Sequence, residues 1–283
     1  MSIFTRLMEK LFGKKSALAQ KAGPASGSDS YERLKQHILS NPNPIISCTP
    51  RDGPAGGAAT ASRFGGSPAW LADAPPLLGK NGRPMIFLLQ INFADAPALD
   101  GFPDKGLLQF FVEDDDVHGC EFPSKTGEGF AAIYRETTDG LVLCEQYPAA
   151  LPEFSPFLNK SVMTEGRDLH FEAAQMYPTG AAMIAELYAD AVRNGGDMKP
   201  LDKLSDWLNA LPSASIYYGG YPKFTQSDIR DDSRWAGYDV VLLQIGWTDD
   251  IMWGDAGEAC FLMSKDDLLA RRFENVIYHW DCC

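Results

Sequence analysis

Three acids and three large apolar side chains fall within nine residues: Trp247, Asp249, Asp250, Met252, Trp253 and Asp255. Two carboxylates held side by side could share a proton for general acid–base work, or hold a hard cation through oxygen. The spacing is not that of an EF-hand loop. The structural alternative is that Asp255 bonds the backbone of its own Asp-Ala-Gly turn. The aromatic residues are binding anchors if exposed and core if buried. Asp104, in Phe102-x-Asp104-x-Gly106, presents the same choice.

Gln90 and Gln244 are single amides inside apolar runs. A buried amide must find partners for two donors and an acceptor oxygen. The pair therefore either meets at an axis and touches a ligand or forms structural hydrogen bonds. Trp253, Asp255, Asp249, Gln244, Gln90 and Asp104 are the candidate binding residues.

Other clusters carry less. Glu113-Asp114-Asp115-Asp116 reads as a solvated strand end or a helix start, with calcium binding as the alternative, and His118-Gly119-Cys120 and His279-Trp280-Asp281-Cys282-Cys283 lack paired zinc spacing. No Gly-x-Ser-x-Gly, His-Glu-x-x-His or dinucleotide fingerprint occurs. The four histidines are His37, His118, His170 and His279, none at a repeated position. No catalytic residue, metal or cofactor is expected.

The elements that position these residues occur twice. Arg63-Phe64-Gly65-Gly66-Ser67-Pro68 through Phe87-Leu88-Leu89-Gln90-Ile91 matches Tyr217-Tyr218-Gly219-Gly220-Tyr221-Pro222 through Val241-Leu242-Leu243-Gln244-Ile245 at a constant offset of 154. The match resumes at an offset of 151: Phe102-x-Asp104-x-Gly106 with Trp253-x-Asp255-x-Gly257, Phe110 with Phe261, and Asp115-Asp116 with Asp266-Asp267. The unit is Gly-Gly-x-Pro, strand, aromatic-x-Asp-x-Gly loop, strand, Asp-Asp.

Met85–Ile91 and Leu107–Val112 read as strands buried on both faces, as do Tyr238–Gly246 and Ala259–Met263. Ala131–Tyr134 and Leu141–Cys144 suggest a hairpin through Thr138-Asp139-Gly140. Helices are expected over 31–39, 181–192, 201–211 and 265–277, the first capped by Ser28, Asp29 or Ser30 and the last by Ser264. The fold class is α+β: two related β-rich halves from an internal duplication, packed about a pseudo-twofold axis, with flanking helices. The first copy covers about 63–116 and the second about 217–267, within a domain over 31–283.

Residues 1–21 stand apart. Ile3, Phe4, Leu7, Met8, Leu11 and Phe12 share a helical face, and five basic residues against one acid give +4. That leaves −17 for the rest of a chain whose net charge is −13. A basic amphipathic helix suits weak peripheral contact with an anionic membrane. Residues 22–30 read as a linker. The acidic balance argues against sequence-independent nucleic-acid binding. Six scattered cysteines without C-x-x-C read as free thiols in a reducing cytoplasm. No 18-residue apolar run predicts a membrane span.

The motifs Phe64-Gly65-Gly66-x-Pro68, Leu88-Leu89-Gln90-Ile91-Asn92, Gly106-Leu107-Leu108-Gln109-Phe110-Phe111 and Met252-Trp253-Gly254-Asp255-Ala256-Gly257 resemble those of the YwqG-like family of bacterial proteins of unknown function. The resemblance covers roughly residues 40–280. It implies an α+β fold of two related halves and a binding or immunity role near bacterial toxin systems, and it carries over no catalytic residue. The expectation is a cytoplasmic, non-enzymatic module that binds a basic protein partner. The alternatives are an enzyme or small-ligand protein with its site around Trp253 and Asp255, and membrane attachment through residues 1–21.

Overall fold

A computed structural model describes residues 27–120, 129–144, 147, 159–178 and 199–282. The chain divides into two compact units. Within the first, helix α1 (Gly27–Leu39) packs on helix α3 (Lys199–Asn209). Ile38 and Leu204 are buried at their contact, and Leu34, Trp207 and Leu208 pack around them. The Lys35 ammonium lies 5.4 Å from the Trp207 ring centre. Helix α1 starts earlier than expected, so Ser28, Asp29 and Ser30 lie inside it rather than before it. The expected helices over 1–21 and 181–192 lie outside the described residues.

The second unit is a β-rich fold with one ten-stranded sheet, in keeping with the α+β class. Its strands are β1 (Asn43–Pro50), β2 (Arg63–Phe64), β4 (Ile86–Asn92), β5 (Leu107–Val112), β6 (Phe130–Arg135), β8 (Arg167–Met176), β9 (Ile216–Gly219), β10 (Val240–Ile245), β11 (Glu258–Met263) and β12 (Ile277–Asp281). Short strands β3 (Ala69–Leu71) and β7 (Leu141–Leu143) form a separate ladder. Two short helices, α2 (Lys160–Glu165) and α4 (Lys265–Leu269), complete it.

Spatial order is β12-β11-β10-β9-β1-β8-β2-β4-β5-β6. Antiparallel β1 and β8 sit at the centre, with Thr49 opposite His170. Outward from β1 run β9, β10, β11 and β12; outward from β8 run β2, β4, β5 and β6. The strand preceding each Gly-Gly motif therefore crosses to pair with the other half: β1 with β9, and β8 with β2. Each half's first strand is covered only by its neighbour's sheet, which leaves neither half complete alone.

Registers correspond as well. Gln90 faces Arg63 on one side and Gln109 on the other; Gln244 faces Tyr217 and Cys260. Both β4 and β10 carry a bulge, at Leu88 and Leu242. A bulge increases local twist, and this sheet curls until it is nearly closed. Side chains from its two ends meet inside: Phe110 and Phe261 at 4.9 Å between ring centres, Phe130 and Tyr278 at 5.5 Å.

Strand alternation sends Leu89, Ile91, Leu108, Phe110, Leu243, Ile245 and Phe261 into the main core. The opposite face is also covered. Trp70, Met85, Phe87, Phe111 and Tyr147 cluster over the first half, while Tyr217, Val241, Leu262 and Ile277 cluster over the second. Burial on both faces explains why the strands read as continuous apolar runs.

Gly65 and Gly219 hold φ of 67° and 78°, which disfavours any side chain. A Cβ at Gly65 would collide with the Val162 carbonyl; one at Gly219 would lie 2.8 Å from the Pro44 carbonyl oxygen. These glycines let the chain enter the sheet against neighbouring backbone.

Two expectations are corrected. The hairpin of 131–134 with 141–144 does not form, because β6 pairs with β5 and β7 pairs with β3 on the outer face. The helix over 265–277 stops at Leu269, and Ile277–Asp281 is strand β12. Ser264 does cap it, accepting from the Asp267 amide at 3.1 Å. Arg271 then takes φ of 59°, and Phe273, Val276 and Tyr278 enter the core, which a continuing helix would not permit.

Candidate functional site

The two glutamines of the repeat are both fully buried on the outer face of the sheet. They do not meet as a pair, because each amide is used within its own half. Gln90 Oε1 accepts from the Ala69 amide at 2.9 Å and from Gln109 Nε2 at 3.2 Å. Its Nε2 donates to the carbonyls of Ala59 and Ala61 at 2.8 and 2.7 Å. Three of these four bonds tie the 59–69 segment to β4, and the fourth joins it to Gln109 on β5. Gln90 is a structural clasp.

Gln244 begins the same way. Its Oε1 accepts from the Lys223 amide at 3.1 Å, and Lys223 stands 154 residues after Ala69. Its Nε2 then donates to the Lys223 carbonyl at 3.1 Å and to Glu258 Oε2 at 2.9 Å. Charge thus enters the second half where the first has Ala69 and Leu107. Burial is the main cause that pushes the Glu258 carboxyl above its ordinary range. It likewise holds the Lys223 ammonium below its own, while each charge favours the other's ionised form. Nearby, buried Asp281 accepts from the amides of Thr225 and Gln226 at 2.9 and 2.7 Å.

The loop after β10 separates its aromatic residues. Trp253 is 0% exposed and packs with His118, Tyr278 and Trp280 at 6.1–6.2 Å between ring centres. It is core, out of reach of a surface ligand. Trp247 is 56% exposed and Met252 43% exposed. A bridge between Thr248 and Ile251 closes the tight turn between them, with the Thr248 amide donating to the Ile251 carbonyl at 2.9 Å. Asp249 is exposed on this turn, Asp250 is half-buried, and Asp255 is exposed on the next turn, after Trp253. Asp104 is exposed on the first half's corresponding loop. The turn is thus a protruding pair of apolar side chains with carboxylates at its rim.

The counterpart of Trp247, at an offset of 154, is Phe93. It is buried, with ring contacts to Tyr218 at 6.0 Å and Phe102 at 6.4 Å. Phe93 opens a single 3₁₀ turn, capped by Asn92 accepting from the Ala94 amide at 3.1 Å. That turn folds the aromatic inward.

Reading motifs alone misses Lys223 and Glu258. The signal for them lies in the aligned positions that differ, where Ala69 and Leu107 become Lys223 and Glu258. No group of three or more His, Cys, Asp or Glu among the described residues is arranged to hold a metal ion. No helix among the described residues is long and apolar enough to cross a membrane.

A search of curated proteins finds no match to this chain. Residues 62–282 match the family model described as a domain of unknown function (DUF1963), a span that takes in both halves of the sheet except β1. The chain belongs to this family of unknown function.

Proposed function

We propose that the chain is a non-enzymatic binding module that docks a protein partner through the turn Trp247–Asp255. The carrying observation is the contrast at one aligned position: the first half buries Phe93, while the second leaves the larger Trp247 56% exposed. An exposed Trp beside an exposed Met is the composition of an interface anchor. Asp249 and Asp255 supply an acidic rim, and a net charge of −13 favours a basic partner through steering. In this reading the two acids act as rim charges and not as an acid pair.

The two halves are read as copies of one ancestral unit about a pseudo-twofold axis. The constant offset, the matched registers and the mirrored strand order support this. The motif resemblance to YwqG-like bacterial proteins fits an immunity-type or scaffolding role, with neutralisation of a basic toxin as its sharpest form. Contact of residues 1–21 with an anionic membrane is a separate proposal, resting on their +4 charge. Equal liposome flotation of the full chain and a chain lacking residues 1–21 would exclude it.

The docking reading is tested by capture from extracts of the source organism. Wild type is compared with the double variant Trp247→Ala/Met252→Ala at matched melting temperature. A protein retained by wild type and lost by the variant is the expected result. The same proteins retained equally by both would overturn it.

A further inference from the structure

Strand β6 ends the ten-stranded sheet, and β5 is its one neighbour among the described strands. The Glu113 amide donates to the Gly129 carbonyl at 2.7 Å, which fixes the alternation of this antiparallel ladder. Ala131, Ile133 and Arg135 turn their backbone groups toward β5, opposite Phe111, Gln109 and Leu107. The amides and carbonyls of Phe130, Ala132 and Tyr134 therefore point away from the sheet, and none has a hydrogen-bond partner among the described residues. The strand carries no proline, no bulge and no charge before Arg135. Prolines, bulges and charges are the usual guards against pairing at an exposed edge.

Arg135 closes the strand with an unanswered charge. Its guanidinium lies 4.9 Å from the ring centre of buried Trp70, and its Nε is buried without a hydrogen-bond partner, while its terminal nitrogens reach solvent. Among the described residues no carboxylate lies within 4.0 Å of it. The matching position at the other end of the sheet is satisfied. Arg135 faces Leu107 as Asp281 faces Glu258, 151 residues further on, and the Asp281 carboxylate accepts two backbone amides. There the Trp280 indole also donates to the Val117 carbonyl at 2.7 Å, which lays that loop against β12.

We infer that β6 is a docking edge for an extended segment of a partner protein that carries Asp or Glu opposite Arg135. The segment adds an antiparallel strand, its backbone pairing with Phe130, Ala132 and Tyr134. Its acidic side chain lies on the outer face, where the terminal nitrogens of Arg135 take a carboxylate through two parallel bonds. Its next two outer positions meet Ile133 and Ala131, so the segment reads acid-x-apolar-x-apolar. A second copy of this chain does not fit, because pairing two β6 strands about Ala132 brings only a glycine opposite Arg135. The edge uses no residue of the docking turn, so it stands or falls independently of that surface.

The test selects random peptides displayed on phage against the full chain, then measures the affinity of an enriched synthetic peptide by fluorescence anisotropy. Enriched sequences should share Asp or Glu followed by apolar residues at alternate positions. Ala132→Pro removes an amide that β5 does not use, and Arg135→Gln removes the charge. Each should weaken peptide binding at least about tenfold, while Trp247→Ala/Met252→Ala should leave it unchanged. Should either variant fail to fold, the wild-type chain is titrated with two altered peptides, one with an amide in place of its acid and one N-methylated along its pairing edge. Both should bind at least about tenfold more weakly than the parent peptide. Three results would overturn the inference: no acid-bearing motif enriched, undiminished binding by either folded variant or of either altered peptide, or binding lost in the Trp247→Ala/Met252→Ala variant.

Discussion

The two ends of the sheet place equivalent residues in different environments. In the first half the aromatic after the Gln-bearing strand is Phe93, buried against Tyr218; in the second it is Trp247, largely in solvent. In the first half the glutamine clasp is neutral; in the second it holds a lysine and a glutamate. Two residues after each Asp-Asp pair, His118 is buried between Trp253 and Trp280, while Leu269 is 56% exposed. Strand register is shared, so these differences arise in the connecting segments: Phe93 opens a 3₁₀ turn where Trp247 precedes the Thr248–Ile251 turn, and His118 sits in a loop where Leu269 ends a helix. They separate the residues that complete the sheet from those that face outward, and they concentrate the outward-facing ones in the second half.

The largest expected effect breaks the aromatic comparison. Phe93→Ala should destabilise by about 3–5 kcal/mol, since it removes a buried ring. Trp247→Ala should change stability by no more than about 0.5 kcal/mol, as exposed positions do. Denaturant unfolding of both variants measures this, and similar losses would mean that Trp247 is packed. Next come the clasps. Gln90→Leu strands the buried Ala69 amide and the carbonyls of Ala59 and Ala61, at about 3 kcal/mol in sum, while Gln244→Leu, with a half-exposed lysine and glutamate as partners, should cost about 1 kcal/mol. Equal costs would erase the distinction between the neutral clasp and the charged one.

A smaller effect is set by pH. Burial is the main cause that pushes the His118 pKa down to about 4, against the pull of Asp115, Asp114 and Asp116. The folded state therefore favours the neutral ring. Its contribution is intact above about pH 6.5 and is lost as pH falls toward 4. Allowing for partial solvent screening, the loss is about 2 kcal/mol. His118→Phe should flatten that slope between pH 6.5 and 4 in urea titrations, whereas Leu269→Ala should leave it unaltered.

Much of the fold is legible in the sequence, because β4, β5, β10 and β11 are long apolar runs and the Gly-Gly motifs recur at a fixed offset. The crossing of β1 and β8 is not legible, since pairing partners far apart in the chain leave no local period. Strand β12 is hidden behind a genuine capping signal at Ser264, which starts a helix without stating its length. β8 alternates buried and exposed positions too irregularly to declare a strand. At the site, Gln244 is readable as a lone amide, but its partners Lys223 and Glu258 emerge only from register. Trp247 and Trp253 are alike in type, and only the Thr248–Ile251 bridge decides which one turns outward.

The central claim is that the second half's turn is a docking surface. Its most direct test is the affinity of the partner captured by wild type for Trp247→Ala/Met252→Ala, measured at low and at physiological salt. The account predicts a loss of at least about tenfold, equivalent to about 1.4 kcal/mol, with an unchanged melting temperature and with wild-type affinity weakening as salt rises. Unchanged affinity in the double variant would contradict it.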